Sequence, residues 1–130
     1  MHIRITALHH VSLLVTDTAR ALGFYQGLLG LTRDPLRPDL GYPGAWLHLP
    51  GGQQLHLLEL PNPDPLEGRP AHGGRDRHVA LHVAVLDDLA AALTAAGIAF
   101  SLSRSGRRAL FCRDPDGNAL EFIERPTNLS

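Results

Sequence analysis

Apolar and polar positions alternate along His10–Val15. In an extended chain Val11, Leu13 and Val15 fall on one side, and His10, Ser12 and Leu14 on the other. The same alternation returns over His78–Val83, where Val79, Leu81 and Val83 oppose His78, Ala80 and His82. After each stretch the period changes to three and four. Ala21, Phe24, Tyr25, Leu28 and Leu29 follow a cap at Asp17 or Thr18 and stop at Gly30. Leu89, Ala90, Leu93 and Ala96 follow a cap at Asp87 or Asp88 and stop at Gly97. Each half is therefore expected to run strand, helix, then several strands.

The halves are copies of one pattern. A shift of 68 lays "HVSLLV" on "HVALHV" with four of six residues identical. A shift of 65 lays "GQQLHLLE" (Gly52 to Glu59) on "GNALEFIE" (Gly117 to Glu124), and Trp46 on Phe111. The second half turns into its last strand through "DPDG", with Asp114, Pro115 and Gly117 where a type I turn favours them. The Pro- and Gly-rich "PNPDPLEGRPAHGGRDR" between the halves reads as a linker. A second irregular stretch, "RDPLRPDLGYPG", reads as a loop bordering a cleft. The expectation is one α+β domain over residues 1–130, with modules at about 8–60 and 77–125 and a linker at 61–76.

Strand parity sorts the candidate chemistry. Leu55 and Leu57 pack inward with Val11, Leu13 and Val15, which leaves His56 and Leu58 facing away; Leu120 and Phe122 likewise leave Glu121 and Ile123. Each half thus presents one polar residue from its first strand and one from its last: His10, His56, His78 and Glu121. Three imidazoles and a carboxylate suit a divalent ion such as Fe, Mn, Co, Ni or Zn, and leave up to two octahedral positions for substrate. His9 alternates to the other face and is not a ligand on this argument. Leu14, Trp46, Leu58, His82 and Ile123 would line the substrate pocket. Glu59 and Glu124 fall on the opposite parity and read as solvated strand-end charges. His2, His48 and His72 fit no pattern and read as surface residues. Cys112 reads as a packed small side chain. Arg104, Arg107 and Arg108 suit either an anionic substrate or a charged strand edge.

Composition narrows the classes. All 12 basic residues are Arg and the formal net charge is −1. With no Lys, Schiff-base chemistry and a P-loop are excluded, and no basic field points to nucleic acid or an anionic membrane. One cysteine cannot form an internal disulfide, and no apolar run is long enough for a membrane span or a secretory signal, so a cytoplasmic location is expected.

The stretches "LHHVSLLVTD", "FYQGLLGL", "LHLLELP", "HVALHVAVLDDLAAALTAAGI" and "FCRDPDGNALEFIE" resemble the vicinal oxygen chelate superfamily. That group includes glyoxalase I, fosfomycin-resistance proteins, extradiol dioxygenases and bleomycin-resistance proteins, and the resemblance runs from about Leu8 to Glu124. It implies two tandem βαβββ modules, each curling its sheet into a half-barrel cleft, in a homodimer. It also places the family's first-strand metal ligands on His10 and His78 and its last-strand ligands on His56 and Glu121. Two departures argue against a glutathione-dependent glyoxalase: His56 stands where those enzymes usually carry Glu or Gln, and Leu14 where they tend to carry Arg. The function implied is a metal-dependent, glyoxalase-like lyase or isomerase. It would act on a small substrate chelated through adjacent oxygens, with Glu121 as general base. The alternatives are an Fe(II) extradiol-type dioxygenase and a small-molecule or antibiotic-binding resistance protein.

Overall fold

The architecture is that of a computed structural model, which describes residues 1–127. The first half runs β1 (His10–Val15), α1 (Thr18–Leu22), a π-helical continuation (Gly23–Leu28), β2 (Thr32–Arg33), β3 (Gly44–His48) and β4 (Gln54–Glu59). The second runs β5 (His78–Val83), α2 (Leu86–Ala95), β6 (Phe100–Leu102), β7 (Ala109–Arg113) and β8 (Ala119–Glu124). The sheets are ordered β1-β4-β3-β2 and β5-β8-β7-β6. In each, the first strand pairs parallel with the last and the remaining pairings are antiparallel. The βαβββ module that the resemblance implies is thus realised twice in an α+β fold. The chain divides into two compact units, Met1–Asn62 and Pro63–Ser130. Among the described residues no helix is long and apolar enough to cross a membrane.

Register explains which side chains are buried. In the first unit Val11 pairs with Leu55, Leu13 with Leu57, and Leu55 and Leu57 with Leu47 and Ala45. Val15, Ala21, Tyr25, Leu47, Leu55 and Leu57 are at most 2% exposed. In the second, Leu110 faces Phe122 and Cys112 faces Leu120, and α2, which buries Leu89 and Leu93, packs against β8. Each fully buried leucine contributes about 2 kcal/mol. The helices stop where the sequence provides Gly30 (φ 73°) and Gly97 (φ 72°), a left-handed conformation that L side chains resist.

The helix starts correct one reading. Asp17 caps α1 as expected, its Oδ1 accepting from Arg20 N at 3.1 Å. The α2 cap position, however, is Val85, whose side chain accepts nothing. Glu124 supplies the acceptor from the neighbouring strand, its Oε2 taking the Leu86 N–H at 2.9 Å. Glu59 does the same for α1, accepting from Thr18 N at 2.8 Å. These two carboxylates are therefore not solvated strand-end charges. They occupy the same place in both copies and satisfy first-turn N–H groups at the positive end of a helix. That bond, with the Arg108 guanidinium, holds the Glu124 carboxyl below the usual range. Glu59→Ala is expected to cost about 1 kcal/mol, as loss of a cap does, and Glu124→Ala to destabilise in the same direction. Urea midpoints unchanged in both variants would show that water satisfies those N–H groups equally well.

The linker is more ordered than its composition suggests. Asp76 accepts from Arg69 Nη1 at 3.0 Å and from Arg113 Nη1 at 2.9 Å, and Arg113 Nη2 donates to the Pro70 carbonyl. These cations hold the Asp76 carboxyl below its ordinary value. A short 3-10 turn, Gly73–Arg75, then packs against β7 and β8.

Candidate functional site

Each sheet has one apolar face and a second face that carries the polar candidates, His56 and Glu121 being buried there. In the first unit Ser12 and Trp46 both pair with His56, so His10, Ser12, Leu14, Trp46, His56 and Leu58 share that second face, as parity predicts. The His56 ring is 7% exposed. It lies between His10, at 3.9 Å between centroids and 15° between planes, and Trp46, at 4.6 Å and 12°. Its Nε2–H donates to Gln54 Oε1 at 2.8 Å, and Gln54 Nε2 donates to Asp34 Oδ2 at 3.0 Å. Burial, followed by the positive potential of His10, His9 and Arg37, pushes the His56 pKa down to about 4.

His9 does not follow the alternation. β1 begins at His10, so strand parity does not govern the residue before it. The two rings meet edge-on at 5.1 Å, with Nδ1 to Nδ1 at 2.8 Å. One imidazole must donate and the other accept, which places His9 against His10 and corrects its assignment to the opposite face.

In the second unit Ala80 and Phe111 both pair with Glu121, so His78, His82, Phe111, Glu121 and Ile123 share a face. Glu121 is 3% exposed. Its Oε1 lies 3.3 Å from His78 Nε2, and its Oε2 accepts from Arg107 Nη2 at 3.2 Å. His78 Nδ1–H donates to the Asp76 carbonyl at 2.9 Å, and a carbonyl can only accept. In the neutral ring Nε2 is therefore the lone-pair nitrogen, aimed at a carboxylate oxygen. Two acceptors so close call for a cation between them, a proton or a metal ion. An imidazole whose far N–H is held by a backbone carbonyl is the usual arrangement of a metal-binding histidine.

The four candidate ligands stand as two pairs, one in each unit. Among the described residues no group of three or more His, Cys, Asp or Glu is placed to hold an ion. The His78–Glu121 pair fits one, since two ligands at about 2.1 Å from a common ion stand roughly 3 Å apart. The His10–His56 pair is stacked, so its in-plane lone pairs do not converge until a ring turns.

The remaining sequence candidates divide between the faces. Leu14 and Leu58 are direct cross-strand partners and both are half-buried. His82 is exposed, with Nδ1 3.4 Å from the Ile123 carbonyl. Cys112 is packed as expected, and burial pushes its thiol up to about 12, which makes it inert. Arg107 meets Glu121, whereas Arg108 pairs with Glu124 and Asp87. Three residues without a sequence pattern join the faces. Asp34 and Gln54 hold His56, and His72, read as a surface residue, bonds Ser101 Oγ at 2.7 Å with its ring on Phe111. A cleft of about 310 Å³ opens between the linker turn and β6, lined by Gly73, Phe100, Ser101, Phe111 and Arg113; none of the candidate ligands lines it.

The model of the glyoxalase/bleomycin resistance protein/dioxygenase superfamily matches residues 7–122. Glyoxylase I 4 of Arabidopsis thaliana is 31% identical over 125 residues, which cover 92% of this chain and 71% of that one. A glyoxalase family protein from Bacillus anthracis superposes with a TM-score of 0.76 at 25% identity, covering 96% of this chain and 99% of that one. The fosfomycin resistance protein FosX of Listeria monocytogenes shares the fold at 18% identity and a TM-score of 0.72, over 92% of this chain and 91% of its own. The chain belongs to the glyoxalase/bleomycin resistance protein/dioxygenase superfamily.

Proposed function

We propose that the protein is a metal-dependent, glyoxalase-like lyase or isomerase for a small substrate held through two adjacent oxygens. The observation that carries this reading is the second-unit pair: a histidine with Nδ1–H fixed on a backbone carbonyl and Nε2 3.3 Å from the buried carboxylate of Glu121. The proposed ligands are His10, His56, His78 and Glu121, and the proposed working form is a cytoplasmic homodimer. A divalent ion bound there supplies Lewis acidity toward the substrate oxygens. The protein supplies the proton acceptor. Glu121, buried on the face it shares with His78 and steadied by Arg107, takes the proton adjacent to the substrate carbonyl. Leu14, Trp46 and Leu58 give the first-unit face an apolar surface against which a moderately apolar substrate packs. Similarity to the Arabidopsis relative supports the same class.

One observation favours a second reading. The His56 ring is buried and stacked between His10 and Trp46, with its lone pair not converging on that of His10. Without His56, the remaining set is His10, His78 and Glu121, the two-histidine, one-carboxylate composition of non-haem Fe(II) oxygenases. An extradiol dioxygenase would use that set, with His56 touching the substrate.

Metal per chain in untagged protein is the deciding measurement. Near-stoichiometric Ni, Co, Mn or Zn is expected for the lyase. Iron with oxygen uptake on catechols would replace it by the dioxygenase. No metal after reconstitution, with tight small-molecule binding retained, would make the chain a binding or resistance protein and overturn both.

A further inference from the structure

We propose that Asp34 and Gln54 are positioning residues that lock His56 as its Nε2–H tautomer, so that the ring presents Nδ1, and only Nδ1, as a lone pair. The starting point is an orientation problem. A Gln amide can point either end at an imidazole, and each choice forces a different tautomer. Here Asp34 decides. Its carboxylate can only accept, so the amide nitrogen of Gln54 must face it, at 3.0 Å from Oδ2. The amide oxygen is thereby turned to His56 Nε2, 2.8 Å away, and an oxygen acceptor demands a proton on that nitrogen.

Asp34 is itself fixed from the backbone. Its N–H donates to the Trp46 carbonyl at 2.8 Å, and its Oδ1 accepts from Leu36 N at 2.9 Å. The second amide hydrogen of Gln54 points toward His48 Nδ1 at 3.3 Å, so the amide has a partner on each side. The clamp starts in backbone and ends on the ring, with every donor matched to an acceptor.

The internal repeat sharpens the argument. Under the 65-residue shift Gln54 falls on Ala119 and His56 on Glu121. The copy with an imidazole has a residue able to choose its tautomer; the copy with a carboxylate, which has no tautomer to choose, has a methyl group. The two ligand-face histidines also end up opposite in sense. His78 gives its Nδ1–H to Asp76 and keeps Nε2 free, whereas His56 gives up Nε2–H and keeps Nδ1. Any electrophile that His56 meets on this face, a metal ion or a substrate proton, meets Nδ1. That consequence rests on the proposed function; the clamp does not.

Nitrogen-15 correlation spectra of histidine-labelled, metal-free protein at neutral pH test this, with His56 assigned by its absence in His56→Asn. The expected result is an exchange-protected proton on His56 Nε2, with Nδ1 carrying the signature of an unprotonated nitrogen. In Gln54→Leu that protected proton is lost to solvent exchange. In Asp34→Asn, which removes only the group that orients the amide, its protection falls while the fold is kept. A protected proton on Nδ1, no protected proton in the native protein, or full protection in both variants would overturn the clamp. Adding Zn²⁺ separates it from the function. A locked tautomer whose Nδ1 does not respond to zinc upholds the clamp and removes His56 from the ligand set.

Discussion

Glu121→Ala protein is expected to bind divalent metal at least about 100-fold more weakly than the native chain, beyond the 10–100-fold that losing a supporting residue costs. The carboxylate is 3% exposed and places a negative charge 3.3 Å from His78 Nε2. Removing it leaves His78 as the one proposed ligand in the second unit, and one imidazole holds a hard or borderline cation poorly. The fold itself should tolerate the change. The two side chains that lose their partner, Arg107 and His78, are 57% and 27% exposed and regain water. The matching control is Glu124→Ala, three residues along the same strand. Its carboxylate lies on the opposite face and serves the start of α2, so that variant loses stability and keeps the metal. Titration of a Co²⁺ or Zn²⁺ indicator against the three proteins reads this directly. Native affinity in Glu121→Ala would remove it as a ligand, and with it the proposed chemistry.

What could be read in advance follows from the geometry of each element. Period-two alternation is a property of extended backbone, so the shared faces of β1 with β4 and β5 with β8 were legible from residue order alone, whereas the register that sets Ser12 beside His56 and Ala80 beside Glu121 was not. Alternation did not hold one residue before the strand, at His9, whose ring turns onto that of His10. Parity also put Glu59 and Glu124 on the correct face, yet it says nothing of what lies there. Their partners, the N–H groups of Thr18 and Leu86, belong to helices whose docking depends on the whole module. Asp34 was illegible for a related reason. It lies 22 residues from His56 in a loop with no copy in the second half, and the clamp exists only once β2, β3 and β4 are assembled. The linker hid its order because Asp76, Arg69 and Arg113 are ordinary charges until folding brings them together.

Metal-free protein should lose on the order of 3 kcal/mol of stability between pH 6.5 and pH 4 through His56 alone. The sign follows from its proton affinities. The pKa is 6.5 when the ring is free in the unfolded chain and about 4 in the fold, where burial and the neighbouring His10, His9 and Arg37 penalise the charged form. Above pH 6.5 both states are neutral and His56 contributes no pH dependence. As the pH falls below 6.5 the unfolded state takes up a proton that the native state refuses, and stability declines with each further step. Near pH 4 the native ring protonates as well, and the decline from this residue ends. The carboxyls of Asp34, Asp76 and Glu124, all held low by their partners, add losses only toward the acid end of this window. The upper half of the window therefore isolates the imidazole. Urea unfolding at intervals from pH 7.5 to 4.5 in the presence of a chelator measures the slope, and His56→Asn should flatten it. An equal slope in that variant would mean that other groups take up the proton, and that His56 is not held neutral by its surroundings.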